Sequence, residues 1–179
     1  MKKVSIVFAL AFIFYAAVPQ QASAQFNPFT DNTKMITAGF GFTGWGVPIF
    51  ARFEAPVYDN VTVGGDISYQ GDKETISGLK YKHRIFGIVV RGDYHFNELL
   101  ELPSEWDVYA GLGIGYYSWK SELYDSPLDI DYPGSANGGF SVGVHVGGRY
   151  FFKDNLGVNL EFGGGNVLAG GTVGVTYLF

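Results

Sequence analysis

Cysteine is absent from this chain of 179 residues, which excludes a disulfide framework and any thiolate metal site. Charge is also scarce, since only 16% of the residues are Asp, Glu, Lys or Arg, and the net charge is -5. An acidic chain lacks the basic stripe that nucleic-acid binding requires. Disorder is excluded as well, because disordered chains are highly charged and poor in aromatic residues. This chain instead holds 26 Gly, 16 Phe, 12 Tyr and 3 Trp.

Long apolar runs are missing after residue 24. The one run that occurs, Val4 to Val18, follows Lys2 and Lys3 and is followed by the small residues Ala22-Ser23-Ala24. It is shorter than the ~20 residues that a membrane-spanning helix needs, and its flanks are typical of a secretory signal peptide. We therefore predict a cleaved signal peptide at residues 1–24 and a single mature domain at residues 25–179.

Helical periodicity is missing too, and strict alternation takes its place. Eight segments carry an apolar side chain at every second position, with glycine or polar residues between them. Hairpin connections join these segments and no crossover helix fits between them, so the sheet should be antiparallel. Two longer polar stretches are interpreted as loops, residues 71–80 and the acidic residues 121–137. The segments are 34–43, 47–56, 61–70, 86–96, 106–117, 140–152, 156–163 and 172–179.

The composition of the two alternating sets of side chains indicates whether the outside of such a barrel faces water or lipid. One set is rich in Val, Ile, Leu and Phe, with aromatic residues near the strand ends, and the other is mostly Gly, Thr and Ser. A soluble barrel such as a lipocalin would need many Lys and Glu side chains on its wet exterior. The second set is too poor in them and suits a narrow interior. The sequence therefore predicts an all-β fold, an eight-stranded antiparallel up-and-down transmembrane β-barrel.

The last strand places Val173, Val175, Tyr177 and Phe179 on one face, and Phe179 ends the chain. This pattern resembles the C-terminal strand of bacterial outer-membrane barrels. The resemblance implies that Val175, Tyr177 and Phe179 form the C-terminal signal read by the insertion machinery.

The mature chain as a whole is similar to the small outer-membrane barrels of the OmpA-transmembrane and OmpX type. Its stretches Arg91 to Leu99 and Trp106 to Gly113 look like barrels common in Bacteroidetes. The resemblance implies a monomer in the outer membrane of a Gram-negative cell. Its expected partners are outer-membrane lipids and lipopolysaccharide, and the barrel-assembly machinery during insertion.

Ionisable residues also occur on the inward set, where charges must pair because an unpaired buried charge costs several kcal/mol. A salt-bridge core that fills the lumen and a catalytic or proton-conducting cluster are both compatible with them. We predict in particular that Arg91 and Arg149 pair with Asp66, Asp93 and Glu161. The predicted interior network consists of Arg52, Glu54, Asp66, Arg91, Asp93, His95, Asp107, His145, Arg149 and Glu161.

Three classes of function are compatible with such a barrel. The favoured one is a structural or surface-interaction role through the extracellular loops, without a cofactor, a metal site or an enzymatic activity. The second is a narrow pore or transporter for small or apolar solutes, as in OmpW-like barrels, although large interior side chains such as Tyr109 and Tyr117 oppose an open channel.

The third class, a lipid-modifying enzyme, would need a serine beside a histidine at the outer surface. Ser141 is four residues from His145, His95 is expected near the end of the barrel with the short turns, and His83 is expected at the start of a strand without a neighbouring serine. A calcium site in the acidic loop, at Glu122, Asp125, Asp129 and Asp131, is disfavoured because the spacing is not that of an EF-hand.

Overall fold

In the computed structural model, eight antiparallel strands form one closed barrel in sequence order, with β1 paired to β8. The structure describes residues 33–44, 46–76, 79–125, 135–166 and 169–179. Among them, no helix is long and apolar enough to cross a membrane. The strands are β1 (Met35–Thr43), β2 (Ile49–Tyr58), β3 (Val61–Ile76), β4 (Leu79–His95), β5 (Trp106–Asp125), β6 (Ser135–Lys153), β7 (Leu156–Gly165) and β8 (Ala169–Leu178).

The strand register determines the tilt of the barrel wall. Paired residues followed once around the barrel from Asn155 return to β7 at Gly165, ten residues further along. A stagger of about ten residues over eight strands corresponds to a tilt of about 40°. A ten-residue strand at this tilt rises about 25 Å, which is the height of the apolar band of outer-membrane barrels.

The structure confirms the predicted assignment of side chains to the inner and outer faces of the wall. The outward side chains are apolar and exposed, among them Phe40 (52% exposed), Val90 (62%) and Phe140 (77%). Inward polar side chains such as Arg149, Thr37 and Thr176 are buried. An apolar exterior around a charged interior is the reverse of a water-soluble barrel, and it is stable only where the wall faces lipid.

The wall is much taller on one side than on the other. Strands β3, β4, β5 and β6 hold 16, 17, 20 and 19 residues, whereas the other four strands hold nine or ten. The four long strands stay paired beyond the point where their shorter neighbours end. We call this extension the protruding sheet. It consists of residues 71–76 of β3, 79–85 of β4, 117–125 of β5 and 135–139 of β6.

Two loop predictions are therefore wrong. Residues 71–76 and 79–80, interpreted as a polar loop, continue β3 and β4. Residues 121–125 and 135–137 of the supposed acidic loop likewise belong to β5 and β6. Strand pairing continues there because backbone hydrogen bonds do not require an apolar face, and alternation disappears because the sheet has left the lipid.

Asn166 closes the edge that β6 exposes where β7 ends. Its side-chain amide accepts a hydrogen bond from the Val142 backbone N–H (2.8 Å) and donates one to the Phe140 carbonyl (3.1 Å). One side chain thus satisfies two ladder groups that a longer β7 would have paired.

The opposite end of the barrel, which we call the short-turn end, has two tight turns at residues 59–60 and 154–155 and a longer connection at residues 96–105. The first residue of β1 and the last residue of β8 also lie at this end. Asn60 adopts a left-handed conformation (φ 60°), which asparagine tolerates, in the turn between β2 and β3. Its side chain donates a hydrogen bond to Glu98 in the connection between β4 and β5 (2.7 Å). Met35, Phe151 and Leu178 form a small buried apolar cluster inside the barrel at this short-turn end.

Candidate functional site

The lumen holds a charged network whose ten predicted members all lie on the inner face of the wall. Alternation places them there, because successive side chains of a strand point to opposite faces. Two groups form, one around Arg52 and Arg91 and the other around Arg149. The side chains of Asp66 and His145 retain 19% and 10% exposure, and the other eight residues are buried.

Arg52 and Arg91 share their carboxylates. Arg52 binds Asp66 through Nε (2.9 Å) and Nη2 (3.1 Å), and it binds Glu161 through Nη1 (2.7 Å) and Nη2 (2.8 Å). Arg91 also donates to Glu161 (2.8 Å) and Asp66 (3.2 Å), and it binds Asp93 in a bidentate manner (2.7 and 3.1 Å). Each guanidinium therefore binds two or more carboxylates, a geometry that suits the arginine fork.

His145 joins this group through a hydrogen bond between its Nε2 and Asp93 Oδ1. The expectation that Arg91 pairs with Asp66, Asp93 and Glu161 agrees with these contacts. All of the members converge on one level of the lumen although they come from β2, β3, β4, β6 and β7.

Arg149 forms a separate group nearer the short-turn end. Its Nη2 contacts Glu54 Oε2 (2.5 Å) and its Nη1 contacts Asp107 Oδ2 (2.7 Å). His95 bridges Asp107 (2.8 Å) and the Thr62 hydroxyl (3.0 Å). The predicted pairing of Arg149 with Asp66, Asp93 or Glu161 is thus wrong. The stagger between strands places Glu54 and Asp107 at its level instead.

Tyr109 lies between the two groups and was not among the predicted network residues. It is fully buried, with the Arg149 guanidinium 4.2 Å from its ring centroid. Its hydroxyl donates to Glu161 (2.9 Å) and accepts a hydrogen bond from Asn159 (2.7 Å). Its inward position on β5, between Asp107 and Gly111, was the available sequence signal. Arg149, Tyr109 and His95 are each at most 1% exposed. This section of the lumen is therefore filled by side chains.

The other half of the lumen is more open. Two cavities of about 170 and 140 Å³ lie beyond the Arg52–Arg91 group, and both are lined by Asp66, Tyr117 and Glu161. A third cavity of about 500 Å³ lies along the inner face of the protruding sheet, lined by Gln70, His83 and Trp119 among others.

The third cavity also contains a serine–histidine pair that sequence reasoning missed. His83 Nδ1 lies 2.9 Å from the Ser121 hydroxyl, because residues 83 and 121 are opposite each other on β4 and β5. The prediction that His83 has no neighbouring serine is therefore wrong. Spacing along the chain could not reveal a contact that the β4–β5 register creates.

The other candidate residues lie apart from the network. Val175, Tyr177 and Phe179 point outward and are 51%, 44% and 59% exposed, and the Phe179 backbone pairs with Lys34. In the acidic segment, Glu122 forms an ion pair with Arg84 (3.3 Å). Asp129 and Asp131 lie outside the described residues.

Comparison with known proteins identifies the barrel. A profile of the family described as outer membrane protein beta-barrel domain matches residues 8–177. The chain belongs to this family. Its location is accordingly the outer membrane, where such barrels place short turns in the periplasm and longer loops outside. No curated protein matches the chain closely enough to count as a relative.

Several solved structures share the fold of this outer-membrane barrel. The N-terminal β-barrel domain of Pseudomonas aeruginosa OprF is 14% identical, with a TM-score of 0.57 over 83% of this chain and 98% of that one. A major outer membrane protein of Thermus thermophilus is 13% identical, with a TM-score of 0.59 over 82% and 98%. Ail, the attachment invasion locus protein of Yersinia pestis, is 14% identical, with a TM-score of 0.54 over 83% and 99%.

Proposed function

We propose that this outer-membrane barrel is a closed, non-enzymatic scaffold that acts at the cell surface through its protruding sheet and outer loops. The observation that carries the proposal is the contrast in strand length. Strands β3 to β6 extend up to ten residues further than the rest of the wall. About ten residues suffice to cross the membrane, so the additional length has no use within the lipid.

The filled lumen supports a scaffold over a pore. Arg149, Tyr109 and His95 obstruct the section nearest the short-turn end. Arg149 and His95 both hydrogen-bond Asp107 there, and the Arg149 guanidinium lies over the Tyr109 ring. Moving one aside would break charged hydrogen bonds, each worth about 1.5–3 kcal/mol. Ail, the attachment invasion locus protein, has the same fold, but at 14% identity that likeness concerns the fold alone. The proposal therefore depends on this chain's own geometry.

A narrow pore is the second candidate, and the two cavities beyond Arg52 and Arg91 favour it. Planar-bilayer recordings on the purified, folded protein separate the two functions. A closed scaffold should give no reproducible current steps. Regular current steps from protein that still shows heat-modifiable migration, and is therefore folded, would contradict the scaffold proposal and support a pore.

Surface labelling tests the orientation of the protruding sheet. Because the chain has no cysteine, a single introduced cysteine is a unique label site. Thr75→Cys in the protruding sheet should react with a membrane-impermeant maleimide on intact cells. The control, Asp154→Cys in the turn between β6 and β7, should react only after the membrane is opened. The reverse pattern would exclude a surface role for this sheet.

We further propose that Val175, Tyr177 and Phe179 form the signal that the barrel-assembly machinery reads. All three lie on the lipid-facing side of the closing strand. Deleting Phe179 should lower the amount of folded protein in the outer membrane several-fold in cells. Val142→Ala, which trims another lipid-facing residue far from the terminus, is the control and should leave that amount unchanged. Equal amounts for the two variants would remove this role from Phe179.

A further inference from the structure

The outer face of the barrel changes abruptly from aromatic to basic where β3, β4 and β5 enter the protruding sheet. Tyr69 and Phe86 are paired neighbours at the upper margin of the apolar wall. Beyond this margin the outward positions of β3, β4 and β5 carry cations: Arg84 directly follows Phe86 on the outward face of β4, whereas Gly71 precedes Lys73 on β3 and Ser118 precedes Lys120 on β5. We call Lys73, Lys82, Arg84 and Lys120 the basic collar. Strand alternation assigns all four to the outward set, and Arg84 and Lys120 also border the third cavity.

The collar holds like charges opposite one another. Lys73 is in register with Lys82, and Arg84 is in register with Lys120. Like charges directly opposite on neighbouring strands destabilise a sheet. Glu122 offsets part of this repulsion through its ion pair with Arg84, in which the two side chains are 44% and 38% exposed. Such exposed pairs are weak, so Arg84 and the facing Lys120 still attract a further anion.

The collar lies at the depth of lipid head groups. Arg84 is two residues beyond Phe86, a rise of about 5 Å at a tilt of about 40°. Lys82 is two residues further and about 10 Å above Phe86 by the same measure. The polar zone of each leaflet is roughly 5–8 Å thick, and lysine and arginine side chains extend along a surface to place their charges. All four cations can therefore reach this zone.

The type of charge identifies the ligand. Sugar hydroxyls do not require cations, and a zwitterionic phospholipid brings its own ammonium group. An arginine fork flanked by lysines suits phosphate, which accepts bidentate hydrogen bonds. The chain as a whole is acidic, so its net charge of -5 does not account for these cations.

We propose that the basic collar binds the phosphate groups of an anionic glycolipid of the outer leaflet, namely lipopolysaccharide. The site extends the proposed surface orientation to a lipid partner and depends on it. The apolar wall below Tyr69 and Phe86 would contact the acyl chains while the collar holds the phosphates. One lipid would thus bridge the wall and the protruding sheet.

The experiment measures binding of fluorescent lipopolysaccharide to the protein in neutral phosphatidylcholine nanodiscs. The test variant combines Lys73→Gln, Arg84→Gln and Lys120→Gln. Because each basic residue near a membrane surface contributes substantially to anion attraction, we expect binding about 10- to 100-fold weaker. The matched control combines Lys34→Gln and Lys153→Gln at the short-turn end and should bind as the unchanged protein does. Heat-modifiable migration verifies that every variant is folded.

Two further arms identify the source of the phosphate. Dephosphorylated lipopolysaccharide should bind the unchanged protein as weakly as the intact lipid binds the triple variant. Inorganic phosphate at the same concentration as the fluorescent lipopolysaccharide should not displace it from the unchanged protein. Binding by the triple variant within twofold of the unchanged protein, or equal binding of the dephosphorylated lipid, would overturn the proposal. Competition by equimolar inorganic phosphate would assign the collar to soluble anions instead. Maleimide labelling of Thr75→Cys stays positive in each case if the surface orientation holds.

Discussion

The two ends of this barrel use their interior differently. Toward the periplasm, Arg149, Tyr109 and Asp107 fill the lumen with side chains that are at most 1% exposed. Toward the cell surface, the lumen opens into cavities and the wall rises on one side as the protruding sheet. The comparison indicates that the periplasmic end carries the stability of the fold. Substitutions at the two ends should therefore have unequal effects on stability.

Removing Arg149 should have the largest effect. Arg149→Met leaves Glu54 and Asp107 buried without their cation, which costs about 3–5 kcal/mol of unfolding free energy. Arg52→Met should cost less, about 2 kcal/mol, because Arg91 still contacts Asp66 and Glu161. Urea unfolding in detergent measures both values.

A double-mutant cycle refines the Arg149 prediction. Adding Glu54→Gln to Arg149→Met should recover part of the loss, because residues in contact couple. A higher unfolding midpoint for Arg149→Met alone would mean that Arg149 faces lipid, and it would reverse the assignment of inside and outside on β6.

Two neighbouring glycines of β6 provide an intermediate effect. A methyl group at Gly147 would collide with the Tyr109 ring and hydroxyl, which the surrounding network prevents from moving. Gly147→Ala should cost about 1–3 kcal/mol of unfolding free energy by overpacking. Gly148 faces outward, where the same methyl group would lie 3.6 Å from the Asp107 carbonyl oxygen, an ordinary contact. Gly148→Ala should therefore unfold almost as the unchanged protein does, and equal losses would show that the lumen adapts around Tyr109.

The smallest effect is expected at the surface end. Ser121→Ala removes the hydrogen bond to His83 and should cost less than about 1 kcal/mol, because the pair is only part-buried. A fluorophosphonate that labels activated serines should not react with the unchanged protein. Labelling that disappears in Ser121→Ala would establish a reactive serine and contradict the non-enzymatic proposal.

Alternation in the sequence was sufficient to predict the barrel and its two faces. Where lipid meets the wall, every second side chain must be apolar, so Phe40 and Val90 signal their orientation directly. The same rule failed for the protruding sheet, because Lys73, Lys82 and Arg84 lie beyond the apolar wall, where an apolar side chain is no longer required at every second position. The pattern of apolar residues therefore could not predict how far β3 to β6 extend beyond the apolar wall.

The partners within the lumen were only partly predictable, for a geometric reason. Arg91 and Asp93 are two residues apart on one strand, so their shared face follows from the pleat. Glu54 and Arg149 are 95 residues apart, and they meet across the lumen because of the stagger of the whole barrel. That stagger depends on turns and bulges all around the wall. The identity of the inward residues alone does not predict it. Tyr109 escaped prediction as a network member because its hydroxyl bonds depend on the same stagger.

The long separations within the network have a consequence for the time course of assembly. Arg52 and Glu161 are 109 residues apart, and Tyr109 and Glu161 are 52 apart. Most of these partners meet only when the late strands have joined the early ones. Contacts of this kind slow folding, because the chain loses conformational freedom before they form. A partly assembled barrel would hold Arg52 without Glu161, so its lumen must stay hydrated until β7 arrives, and expulsion of that water would accompany the final closure of the wall.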